Sequence, residues 1–136
     1  MTAGKQIELV SVADYLAGEI ESDVKHEYSA GYVYAMAGAK NVHNRIAVNW
    51  LLAMGRHLRG KACEPFNSDT KLRIQLPTHT RFYYPDGMVV CDSNAADETF
   101  QERPVIIAEV VWTRLAASMK MRSARPTLRF RRCRFT

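Results

Sequence analysis

The chain has 136 residues, 47% of them hydrophobic and 24% charged, which suits one hydrophobic core and excludes a fibrous, low-complexity or disordered protein. Residues 1–9 lack the basic start and apolar stretch of a secretory signal, and no window reaches membrane-span length, so the reading is a cytoplasmic protein of one domain. The formal net charge of +5 sits at one end: residues 113–136 carry eight basic and no acidic side chains, which leaves residues 1–112 at a net −3. A uniformly basic nucleic-acid binder is thereby excluded, and the body is mildly acidic.

Ser11 followed by Asp14 has the form of an N-terminal cap, with Val12, Tyr15 and Leu16 recurring at helical spacing behind it, so a short first helix is expected. Aromatic-rich runs at residues 26–28 and 32–36 flank Ser29, Ala30 and Gly31, where glycine supplies the positive φ of a tight reversal; these form a hairpin. Over residues 41–58, Ile46, Ala47, Trp50, Leu51, Met54 and Leu58 repeat at three and four, predicting a long amphipathic helix that ends near Gly60. Three strands follow: residues 63–74 with a break at Asn67 and Ser68, residues 82–91, and residues 105–111 begun by Pro104. The acidic stretch 92–102 reads as a surface loop. The class is α+β with a mixed sheet.

Cys63, Cys91 and Cys133 are too few and too scattered for a disulfide framework and form no zinc-binding pair, so they read as buried small hydrophobes or idle thiols.

Two carboxylates carry the chemistry. Asp86 follows Tyr84 and Pro85 at the start of an apolar run, and Glu109 lies inside another, between Val105, Ile106, Ile107, Val110 and Val111. A buried, unpaired glutamate would cost several kcal/mol, so Glu109 is neutral, salt-bridged or bound to a cation. Carboxylates at adjacent strand ends suit Mg²⁺, which takes one or two of them and keeps its waters. The structural alternative is a turn at Pro85-Asp86 and a Glu109 paired with Arg73 or Arg103.

The order of motifs from about residue 10 to residue 111 resembles the Uma-type restriction endonuclease family. It comprises Tyr15-Leu16, Lys25-His26-Glu27-Tyr28, the run from Gly31 to Gly38, His43-Asn44-Arg45-Ile46, Phe66-Asn67-Ser68-Asp69, Tyr83-Tyr84-Pro85-Asp86, and the run from Pro104 to Val110. The resemblance implies a PD-(D/E)XK, restriction-endonuclease-like fold with Asp86 and Glu109 as ligands of Mg²⁺ or Mn²⁺, and with Glu27 and, less directly, Asp69 facing the same cleft. It implies DNA as substrate and pairing as a homodimer. Lys25 and Arg45 are phosphate contacts or surface charges; His43 is a cleft residue or a helix-start histidine bonded to a free amide or facing solvent.

The family's lysine is expected in a Ser/Thr-rich, acidic stretch on the helix that follows Glu109, and this pattern is absent. Residues 113–136 are arginine-rich without a clear period, and their one lysine, Lys120, stands in another context. Back-translation with permissible codons and one base inserted at the Trp112 codon reads Val-Val-Ser-Asp-Ser-Thr-Arg and continues into an acidic stretch ending in lysine. The expectation is an incomplete nuclease domain over residues 1–112, impaired in catalysis, followed by a frameshift-derived tail that packs poorly and leaves the last strand uncovered. The alternative is a non-catalytic nucleic-acid binder that uses the tail.

Overall fold

A computed structural model describes residues 8–112 and the backbone of residues 126–132. The element order is α1 (Val12–Glu21), β1 (His26–Ser29), β2 (Tyr32–Ala35), α2 (Asn41–His57), β3 (Glu64–Asn67), β4 (Lys71–Gln75), β5 (Thr80–Tyr83), β6 (Gly87–Val90), β7 (Phe100–Gln101), β8 (Pro104–Trp112) and β9 (Pro126–Arg132). This is the expected α+β class, with one parallel pairing among antiparallel ones. The chain divides into two interleaved compact units, residues 1–37 with 73–83, and residues 38–72 with 84–136.

In the first unit, the Ser11 side chain accepts the Asp14 amide at 3.1 Å, the cap that the sequence predicts for α1. The hairpin turns through Ala30 (φ 50°) and Gly31 (φ 93°), and pairs Ser29 with Tyr32. A side chain at Gly31 would be strained by that φ and would also press on Leu9. Strand β1 lies between β2 and β5, with Tyr28 opposite Phe82. The rings of Tyr15, Tyr28 and Phe82 form the core, with centroids 5.0 to 6.0 Å apart. Both phenols keep a partner: Tyr15 donates to the His26 carbonyl at 2.6 Å and Tyr28 to the Val10 carbonyl at 2.9 Å.

In the second unit, four antiparallel strands run in the order β3-β6-β8-β9. Helix α2 lays Trp50 against Val89 and Ala108, with Leu51, Met54 and Leu58 packed around them, so the predicted apolar face is the one buried. Strand β6 is buried along its whole length. That requires apolar residues on both faces of the strand, as in Met88, Val89 and Val90. The start of β4 pairs in parallel with β7, through Lys71 with Phe100 and Leu72 with Gln101.

Four sequence expectations change. Residues 82–91 are two strands, because Tyr84, Pro85 and Asp86 interrupt them; Pro85 has no amide to give a ladder. The stretch 92–102 contains β7, whose Gln101 is buried and accepts the Asn94 amide at 2.9 Å. Two residues are too few to show a period. Cys63 and Cys91 are joined in a disulfide, although 28 positions apart, because the β3–β6 register of Glu64 with Val90 carries them to opposite positions one residue further on. Finally, the edge of β8 is not left open: the backbone of β9 pairs with it from Ile106 to Trp112. Lys120 and Cys133 lie outside the described residues.

Candidate active site

The site forms where β6 begins. Gly87 pairs with Ala108 in the antiparallel β6–β8 ladder, so the next step of the register sets Asp86 opposite Glu109. This register is what the two-carboxylate reading needs, since residues directly opposite in an antiparallel pair share a face. The Val110 amide donates to Asp86 Oδ2 at 2.7 Å, so the aspartate closes the end of the ladder with its own side chain. Pro85, fully buried, fixes the approach to the strand.

The second oxygen of Asp86 is also engaged. His43 Nε2, from the first turn of α2, lies 3.2 Å from Asp86 Oδ1, and both side chains are 18% exposed. Of the two readings of His43, the structure supports the cleft residue. His43 also approaches Asn44, with Nδ1 3.4 Å from the neighbouring Oδ1.

Glycine is required at position 87 for a steric reason. An added Cβ would overlap the Trp50 ring, coming within 2.6 Å of Cε3. Trp50 thus packs directly on the backbone beside Asp86, and α2 delivers both His43 and this ring to the start of β6.

The other expected residues are distributed. Glu109 is half-buried on β8, with Arg129 of β9 as its register partner. Arg103, one of its proposed partners, instead pairs with Asp92, Nε to Oδ2 at 3.2 Å. Asp69 sits in the exposed turn after β3, its amide donating to Asn67 Oδ1 at 3.0 Å. Arg45 is exposed on α2. Glu27, opposite Tyr34 on β1, and Lys25, whose carbonyl accepts the Met36 amide at 2.9 Å, belong to the first unit, as does Arg73.

Sequence reasoning missed Lys71. It is buried (5% exposed), donates to the Thr99 carbonyl at 3.3 Å, and sets its ammonium 5.4 Å from the Tyr84 ring centroid. No local pattern marks it, because a lysine at the head of a strand is ordinarily solvated.

Among the described residues, no group of three or more His, Cys, Asp and Glu side chains is gathered to enclose a metal ion. The donors fit a more open site. Each carboxylate oxygen has two lone-pair directions, and Asp86 commits one on each to Val110 and His43, leaving others for a hydrated cation.

The family model described as "Putative restriction endonuclease", Uma2, matches residues 12–122. The chain belongs to the Uma2 family. The match extends ten residues beyond Trp112 into the basic segment. Two curated Uma2-like relatives come from Synechocystis sp.: the uncharacterized protein slr1290 is 36% identical over 103 residues, covering 75% of this chain and 53% of the relative, and the uncharacterized protein sll1609 is 29% identical over 111 residues, covering 79% and 62%. The chain therefore spans between half and two thirds of the length of these relatives. No solved structure matches it. Among the described residues of this Uma2 chain, no helix is long and apolar enough to cross a membrane.

Proposed function

We propose that this chain carries the carboxylate half of a metal-dependent DNA endonuclease site, centred on Asp86. The observation that supports this is Asp86 held by both oxygens, to the Val110 amide and to His43, with Glu109 opposite in the β6–β8 register. Membership of a family described as restriction endonucleases favours phosphodiester hydrolysis over other uses of paired carboxylates. A solvated aspartate would need no such anchoring. A metal ligand does, since its orientation sets the geometry of the cation.

Asp86 and Glu109 would hold Mg²⁺ or Mn²⁺, which when bound supplies a nucleophilic water and neutralises charge on the phosphoryl oxygens. The protein's own part is to keep the carboxylates oriented: the Val110 amide and His43 fix the Asp86 plane, and Trp50 packed on Gly87 fixes the backbone carrying it. Arg45 is positioned to meet a DNA phosphate as an exposed charge. Val111 stands two residues after Glu109, where the simplest PD-(D/E)XK pattern has lysine. A missing positioned lysine costs roughly two to four orders of magnitude in rate, so this chain is expected to be an impaired enzyme.

The test is cleavage of supercoiled plasmid by this chain and by a protein made with the single base restored at the Trp112 codon. The restored protein should cut in Mg²⁺ at a rate about 10²–10⁴ times higher, and Asp86→Ala or Glu109→Ala should abolish the activity. Restored protein that binds DNA with salt-sensitive affinity but never cuts it would replace this reading with the non-catalytic binder.

A further inference from the structure

We propose that His43 is a metal ligand, and that His43 Nε2 and Asp86 Oδ1 take two adjacent coordination positions of one first-row transition dication of the Mn²⁺ to Zn²⁺ series. The proposal deepens the reading of Asp86 as a cation ligand and rests on it.

The first argument is geometric. Metal–nitrogen and metal–oxygen bonds of about 2.1 Å put adjacent ligand atoms about 3.0 Å apart in an octahedron and about 3.4 Å apart in a tetrahedron. The observed Nε2 to Oδ1 separation of 3.2 Å lies between these values.

The second argument comes from the proton inventory of the ring. A neutral imidazole has one donor and one acceptor nitrogen. Nδ1 faces Asn44 Oδ1 at 3.4 Å and Nε2 faces Asp86 Oδ1, so both ring nitrogens look at oxygen acceptors. Either neutral tautomer leaves one lone pair against an oxygen. When Nδ1–H donates to Asn44, the Nε2 lone pair and the Asp86 carboxylate point at the same small volume, and a cation there satisfies both. Ligating histidines characteristically donate their other ring N–H to an oxygen, the place Asn44 occupies.

The third argument is that Asp86 is already oriented. Its Oδ2 is held by the Val110 amide at 2.7 Å, and Pro85 and the packed Gly87 restrict the backbone on either side. Since no third His, Cys, Asp or Glu joins this group among the described residues, other positions fall to water or phosphate oxygen, the open arrangement of a catalytic metal site. A nitrogen ligand also selects the ion. Mg²⁺ takes oxygen and dehydrates reluctantly, whereas imidazole suits later first-row ions.

The test measures ion binding in the full chain, without reference to cleavage. Mn²⁺ binding is followed by loss of the free-ion EPR signal, with Mg²⁺ as competitor, in the unaltered chain and in His43→Gln and Asp86→Ala, each checked for its thermal melt. The expectation is Mn²⁺ affinity at least about tenfold above that for Mg²⁺, a His43→Gln chain that loses this preference while its Mg²⁺ affinity changes less than about twofold, and an Asp86→Ala chain that binds neither. A His43→Gln chain that keeps its Mn²⁺ preference overturns the proposal and leaves Asp86 as a cation ligand. An Asp86→Ala chain that binds both ions as before overturns the cation site itself. Should His43→Gln fail to fold, Co²⁺ added to the unaltered chain decides: far-shifted imidazole proton resonances at one equivalent support ligation by histidine, and their absence overturns it.

Discussion

Replacing Gly87 by alanine tests whether Trp50 builds the floor of the site. Gly87 does not have a positive φ, so alanine meets no backbone strain and the cost is steric. The new methyl would overlap Cζ3 of Trp50 and come within 2.6 Å of Cε3 and 3.0 Å of Cη2. Trp50 is 6% exposed and wedged against Val89 and Ala108, so the ring cannot swing away without opening the core. Overpacking of this kind costs about 1–3 kcal/mol. Urea unfolding of Gly87→Ala should show that loss, and Trp50→Leu in the same chain should recover at least about 1 kcal/mol of it relative to additivity, since the two groups touch. A Gly87→Ala chain within about 0.5 kcal/mol of the parent, or two substitutions that simply add, would refute the packing argument.

Asp86→Ala should destabilise the chain by about 1–3 kcal/mol, because the amide of buried Val110 loses its acceptor, whereas Asp86→Asn keeps an oxygen for that amide and should recover most of the loss in the same assay. Equal losses in the two variants would mean that the 2.7 Å bond contributes nothing. Reduction of the Cys63–Cys91 bridge, which closes a loop of 28 positions, should lower stability by about 3.5 kcal/mol on the chain-entropy account and expose two further thiols to titration. An unfolding midpoint unchanged by reductant, with no gain in thiols, would show that the bridge does not form.

What was legible in the sequence is what neighbours decide. Ser11 and the spacing behind it mark α1, Ala30 and Gly31 mark the hairpin, the three-and-four repeat through Trp50 marks α2, and the branched run through Glu109 marks β8. Each signal reports on contacts within a turn of helix or across a two-residue reversal, where short-range sterics and capping dominate. Asp86 and Glu109 could be singled out because a carboxylate in an apolar run needs a partner, although their spacing does not say which.

Tertiary structure alone decided the partners. Tyr84 to Asp86 separates β5 from β6, and no periodicity in that apolar stretch announces the break. Cys63 meets Cys91 because the β3–β6 register brings them opposite, and His43 meets Asp86 because α2 packs Trp50 onto Gly87 and thereby lowers its first turn onto the start of β6. Lys71 is buried for the same kind of reason, with Thr99 and Tyr84 waiting for its ammonium far along the chain. Register and helix docking are collective choices, set by how apolar faces close over the whole chain, so the residues they bring together carry no mark of one another in the sequence.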